Sequence, residues 1–177
     1  MKTLELLPIG EVDARLLKTL APALAESYGL SCRTLDAALN PQLAFHAERG
    51  QYHSSQLLHA MQTYATQGAW RVLGVTAVDL YIPILTFVFG EAQMGGPCAV
   101  VSFHRLRQQF YGLPEDGDLL AQRLVKESVH ELGHTFELTH CDDYSCAMAP
   151  SHAVEWIDLK ESSLCSSCAS RALTAVR

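Results

Sequence analysis

Residues 130–148 read HELGHTFELTHCDDYSCAM, and the spacing of their histidines constrains the fold more than any other feature. His130 and His134 are four residues apart. On a helix of 3.6 residues per turn, such positions lie about 40° apart around the axis. Both imidazoles therefore project from one face, one turn apart, where they can close on a single Zn²⁺. Glu131 flanks that face. A carboxylate there reaches a metal-activated water as a general base without being a ligand. His140 imposes a second condition. It follows His134 by six residues, about 240° around a continuous helix, and would point away. For His140 to be the third ligand, the helix must end soon after His134 and the chain must turn back.

Four of the six cysteines cluster late, at Cys141, Cys146, Cys165 and Cys168. This C-x4-C…C-x2-C spacing gives two close pairs joined by a loop, which suits a tetrahedral zinc site. The alternative is a pair of disulfides, or free thiols. Cys141 directly follows His140, and adjacent residues do not easily share one ion, so two separate zincs are expected. The second would pin the chain immediately after the third histidine. Cys32 and Cys98 are isolated in apolar surroundings and read as small core filler.

The chain has 177 residues, of which 49% are hydrophobic, enough for one domain with a substantial core. No apolar run approaches the roughly 20 residues of a membrane span. The start, MKTLELLPIGEVDARLL, carries Glu5 amid its leucines and does not read as a secretory signal. A net charge of −6 argues against a nucleic-acid surface. The expectation is a cytoplasmic monomer with no membrane or nucleic-acid partner, using its thiols for metal.

Patterning predicts the elements. Residues 2–7 read as a strand. Val12, Leu16, Leu20, Leu24 and Tyr28 form a helical stripe, with Pro22 expected to kink it or start a second segment. Residues 30–35 read as a strand, and Asn40-Pro41 as a turn. Ser54 is expected to cap a helix carrying Leu57, Leu58 and Met61, with Gly68 at its end. Residues 70–81, 84–90 and 98–103 are dense in strand formers, with a loop over 91–97. Asp116 or Asp118 should cap the long helix that carries the histidines, with Leu120, Leu124 and Val125 on its buried side. The last residues, CSSCASRALTAVR, are expected to end in a short helix.

These residues resemble the archaemetzincins, a branch of the metzincin zinc peptidases. That pattern is H-E-x-x-H-x-x-G-x-x-H-C-x4-C-x-M followed by C-x-x-C. Here His130, Glu131, His134, His140, Cys141, Cys146, Met148, Cys165 and Cys168 fall on the matching positions. GVTAVDLY at 74–81 and VSFHRLR at 101–107 are also similar. There are two departures. Glu137 stands at the family's glycine, and the gap from Met148 to Cys165 is one residue shorter. A left-handed glutamate there costs roughly 1–2 kcal/mol, against structural zinc binding on the order of 10 kcal/mol.

The resemblance implies an α/β (α+β) metzincin-like fold: a mixed β-sheet with packed helices, an active-site helix, a Met-turn and a small zinc-bound C-terminal lobe. Residues 1–177 would form one catalytic domain, with an upper lobe over about 1–137 and a lower lobe over about 138–177. Met148 would floor the metal site without binding zinc. His130, His134 and His140 would hold a catalytic zinc, Glu131 would be the general base, and Cys141, Cys146, Cys165 and Cys168 would hold a structural zinc. The implied activity is zinc-dependent hydrolysis of a peptide or protein substrate, aligned by an edge strand near 84–90. The competing reading is a zinc-stabilised peptide- or protein-binding module with little or no peptidase activity. His46, His53, His59 and His104 lack paired spacing and take ordinary roles. His152 could border the cleft, and Tyr144 or Trp156 could shape it.

Overall fold

The computed structural model describes residues 2–65 and 70–176. Gly68, expected to end a helix, lies outside the described residues. The chain opens with strand β1 (Thr3–Ile9), helix α1 (Ala14–Tyr28) and strand β2 (Ser31–Thr34). Asp13 caps α1 by accepting from the Arg15 backbone N–H at 2.8 Å, and left-handed Gly29 closes it. Pro22 does not start a second segment: α1 runs on through it as one helix. The proline is exposed, while Leu17, Leu20, Leu24 and Tyr28 bury the opposite stripe and hold the helix against the core. That burial outweighs the one backbone hydrogen bond proline removes.

A short hairpin, β3 (Phe45–His46) and β4 (Gln51–His53), leads into α2 (Ser54–Ala65). Ser54 begins this helix but does not cap it. Its hydroxyl donates to Tyr81 O and Glu91 instead, tying α2 to the later strands. The run 70–81 divides into β5 (Arg71–Thr76) and β6 (Leu80–Tyr81), which belong to different sheets. The bend between them is held by side chains. Thr76 Oγ1 donates to Ile9 O at 2.8 Å, and Ser102 Oγ to Val78 O at 2.6 Å.

Of residues 84–90, expected to form one strand, only Gly90 enters a strand, and Val88 makes an isolated antiparallel bridge to Leu80. At the start of the run the carbonyls are taken by side chains: Arg49 donates to Leu85 O and Thr86 O, and Gln51 to Thr86 O. Strand β7 (Gly90–Ala92) begins at the end of that run and extends into the span read as loop, and it is followed by β8 (Cys98–Ser102). The main sheet has the order β2-β1-β5-β8-β7. All pairs are parallel except the antiparallel β7–β8 edge. A smaller sheet joins β3, β4 and β6.

Helix α3 (Gly117–Thr135) packs across β8 and beside α1. Asp116 caps it, accepting from the Leu119 N–H at 2.9 Å. Tyr28 Oη donates to Val129 O at 2.6 Å, and the Tyr28 ring stacks at 4.8 Å on Phe136. Beyond α3 come two short helices, α4 (Val154–Leu159) and α5 (Ser166–Val176). Among the described residues, no helix is long and apolar enough to cross a membrane.

Candidate metal centre

The break after His134 takes a definite form. Leu138 N–H donates to Gly133 O and Glu137 N–H to His134 O, both at 3.0 Å. This is the paired 6→1 and 5→2 pattern of a Schellman cap, with Glu137 at the left-handed position. Glu137 has φ +62°, the only non-glycine residue with positive φ among those described. The position thus keeps the conformation that favours glycine, and the glutamate bears the strain. Two contacts hold the turn from outside. Gly95 N–H donates to His134 O at 3.0 Å, and Arg171 donates to Glu137 O at 3.2 Å.

The turn brings His140 back to the other two imidazoles. The ring centroids are 4.7 Å apart for His130–His134 and 5.2 Å for His140 to each of them. His130 Nδ1 meets Ala147 O at 2.9 Å, and His134 Nδ1 meets Leu138 O at 2.7 Å. A carbonyl can only accept, so each Nδ1 carries the proton and each Nε2 keeps a free lone pair. Those two Nε2 atoms face one another at 3.2 Å. Tetrahedral Zn²⁺ with Zn–N near 2.1 Å places its nitrogens about 3.4 Å apart, so the donor set fits the ion. Burial lowers the pKa of all three histidines below the ordinary value, which favours the neutral form that binds metal. His130 is buried, His134 partly so, and His140 exposed, so the cluster opens toward solvent on one side.

That side is a cleft of about 570 Å³, walled by Leu85, Phe87, Phe89 and β7 above and by Pro150 and His152 below. Glu131 lies in it, buried. Burial first, and the neighbouring Glu127 second, push its pKa well above the usual carboxylate range, with Lys160 opposing. His152 lines this cleft. Tyr144 and Trp156 do not; they line a separate apolar hollow of about 250 Å³ with Ala149, Pro150 and Leu159. His46 and His53 pack edge-on against Tyr81, and His104 edge-on against Phe110, outside the cluster.

Two glycines matter here that the sequence reading passed over. A Cβ on Gly133 would sit 2.3 Å from Met148 Sδ, so the helix and the fully buried methionine meet only because residue 133 has no side chain. A Cβ on Gly90 would fall 2.6 Å from Glu131 Cγ, so β7 can run beside the carboxylate only with glycine there. The glycine just before the second histidine of H-E-L-G-H was the available signal for the first. Nothing local marked the second.

The four late cysteines form the other cluster. Cys141 Sγ and Cys165 Sγ are 3.9 Å apart, far beyond a disulfide bond of about 2.05 Å. The value matches the roughly 3.8 Å between sulfurs at Zn–S near 2.3 Å in a tetrahedron. Cys165 N–H points at Cys146 Sγ at 3.3 Å, the kind of donor that supports a thiolate. Cys141 N–H donates to Met148 O at 3.0 Å, closing the loop between the two clusters. By contrast, burial pushes the thiols of Cys32 and Cys98 up to about 12 and about 11, so they remain inert thiols.

The chain is similar to known proteins. The family described as peptidase family M54 matches residues 40–173. The archaemetzincin of Methanocaldococcus jannaschii is 40% identical over 161 residues, covering 91% of this chain and 87% of its own. That of Thermococcus kodakarensis is 38% identical over 175 residues, covering 95% and 94%. Among solved structures, the archaemetzincin of Methanopyrus kandleri superposes with a TM-score of 0.85 at 33% identity, covering 99% of this chain and 95% of its own. That of Archaeoglobus fulgidus gives 0.83 at 34%, covering 96% and 99%.

Proposed function

The chain belongs to peptidase family M54, the archaemetzincins, which are zinc metallopeptidases, and from that membership we propose which residues do the chemistry. His130, His134 and His140 hold the catalytic zinc, and Glu131 is the general base of peptide-bond hydrolysis. One observation carries this reading. Three neutral imidazoles converge at the floor of a cleft, two with Nδ1 already committed to carbonyls, and a buried carboxylate stands beside them. When bound, zinc supplies Lewis acidity, polarising a carbonyl and lowering the pKa of water toward neutrality.

The chain's own groups do the rest. Glu131 takes a proton from the attacking water at a carboxylate oxygen and returns it to the leaving amine. Strand β7 is the edge of the main sheet and lines the cleft, so an extended peptide can add to it as a further strand. This moves the substrate-aligning edge from 84–90 to Gly90–Ala92. The apolar wall from Leu85 to Phe89 excludes water above the scissile bond.

Cys141, Cys146, Cys165 and Cys168 hold a second, structural zinc in the same proposal. Two zincs then serve one catalytic domain over 1–177, with α3 ending the upper lobe near residue 137 and the cysteine cluster inside the lower one. Thiolate ligands require a reducing compartment, which favours the cytoplasm. The −6 charge makes a nucleic-acid partner unfavourable, and we propose a monomer acting on peptides or proteins. Substituting Glu131→Ala should lower turnover of a cleaved peptide by roughly 10²–10⁴-fold while zinc content stays unchanged. Turnover at the wild-type rate would reject the role of Glu131.

A further inference from the structure

Lys160 is 1% exposed, just beyond the end of α4, and is among the largest fully buried side chains of the molecule. Its ammonium makes three contacts. It pairs with Glu127 at 2.8 Å, and it donates to Ala147 O at 3.1 Å and Ala149 O at 3.2 Å. Those two carbonyls flank Met148. Ala147 O is also the acceptor of His130 Nδ1. One oxygen therefore joins a buried lysine to a histidine of the metal centre. Glu127 is buried too, at 3%, and precedes Glu131 by one turn of α3.

A buried ion pair is weak as a stabiliser, because desolvating two charges offsets most of their attraction. The same two helices already have another tie. Arg123 on α3 makes a two-pronged pair with Asp158 on α4, both bonds at 2.7 Å. That pair reaches Leu106 O but neither carbonyl beside Met148. Lys126 on α3 adds bonds to Ile157 O and Asp158 O. Two ion-pair staples thus join α3 to α4 and the residue that follows it, and of these side-chain ties only the one through Lys160 touches the hydrogen-bonding partner of a metal ligand.

We propose that Lys160 is a positioning residue for the histidine centre: by gripping the carbonyls on both sides of Met148, it keeps Ala147 O aimed at His130 Nδ1, so that His130 Nε2 faces the other two imidazoles. Glu127 supplies the charge that lets the lysine stay buried without opposing a dication above it. The proposal rests on the histidine centre being a zinc site. Outer partners of metal-bound histidines are typically worth 10–100-fold in affinity, and this one is set through the backbone.

The test compares the two staples in the full chain. One variant carries Glu127→Met and Lys160→Met; the other carries Arg123→Met and Asp158→Leu. Zinc affinity of the histidine centre is measured by competition with a chromophoric chelator, and the thermal midpoint is measured alongside. The tautomer of His130 is read by nitrogen-15 NMR. The first variant should bind zinc 10–100-fold more weakly and show a mixture of His130 tautomers, without a larger fall in midpoint than the second. The second should bind zinc within about threefold of wild type. Equal zinc affinity in the two variants would overturn the proposal, as would failure of only the first to fold, since the pair would then be a folding determinant. Failure of the underlying reading looks different: the wild-type chain would hold no zinc that His130→Ala with His134→Ala removes.

Discussion

The two donor clusters are adjacent in the chain, His140 beside Cys141, and are built in opposite ways. The histidine centre borrows its geometry from α3, whose periodicity sets His130 and His134 before any tertiary contact forms. The cysteine centre has no such scaffold. Cys141 and Cys146 come from a loop, Cys165 from the residue before α5 and Cys168 from inside it. Three nitrogens face a cleft on their open side, whereas four sulfurs leave no position free. A site on a rigid helix can keep a coordination position vacant for chemistry. A site made of loops is shaped by its ion and suits a structural role.

That contrast can be broken most directly at the sulfurs. Replacing Cys165 and Cys168 together by serine should release the second zinc. Such sites contribute on the order of 10 kcal/mol, so residues 141–168 should lose their fixed form and His140 its place. Metal analysis would show the loss, and amide exchange would show the loosened segment. Retention of both metals with unchanged affinity would mean the clusters are independent.

A smaller effect is expected where the clusters meet. Gly133→Ala puts a methyl into Met148 Sδ, and the methionine has no exposed surface into which to retreat. Overpacking of this kind costs about 1–3 kcal/mol. Denaturant unfolding should report it, together with weaker zinc binding at the histidines. An unchanged midpoint would mean that the helix and the methionine loop are not in rigid contact.

The smallest effect should be a gain. Glu137→Gly relieves a left-handed glutamate worth roughly 1–2 kcal/mol but adds unfolded-state entropy of roughly 0.5–1 kcal/mol. The net is about 0.5–1 kcal/mol, near 2 °C in thermal midpoint for a chain of this size. A fall in midpoint would show that the Glu137 side chain, which packs against Gly95, contributes more than its backbone strain costs.

The donors were legible early because their spacing carries the geometry. Four residues on a helix, and two close cysteine pairs, are local facts. The need for a break before His140 was legible for the same reason, and Glu137 adopts the glycine conformation required there. Elsewhere local reading failed where side chains compete with the backbone ladder. Residues 84–90 have the composition of a strand, yet Arg49 and Gln51 take the carbonyls of Leu85 and Thr86. Ser54 looked like a cap, but its hydroxyl turns to Tyr81 and Glu91.

The sequence by itself determined the chemistry of this protein: which atoms can bind metal, which carboxylate stands beside them, and that the helix must stop. Helical and turn periodicities act over a few residues, so they survive without knowledge of the rest. Only the tertiary structure decided what surrounds those atoms. Gly90 clears Glu131 from a strand 41 residues away, and Lys160 meets Glu127 across 33 residues. Burial and charge pairing depend on which distant segments the core brings together, and no local pattern encodes that choice.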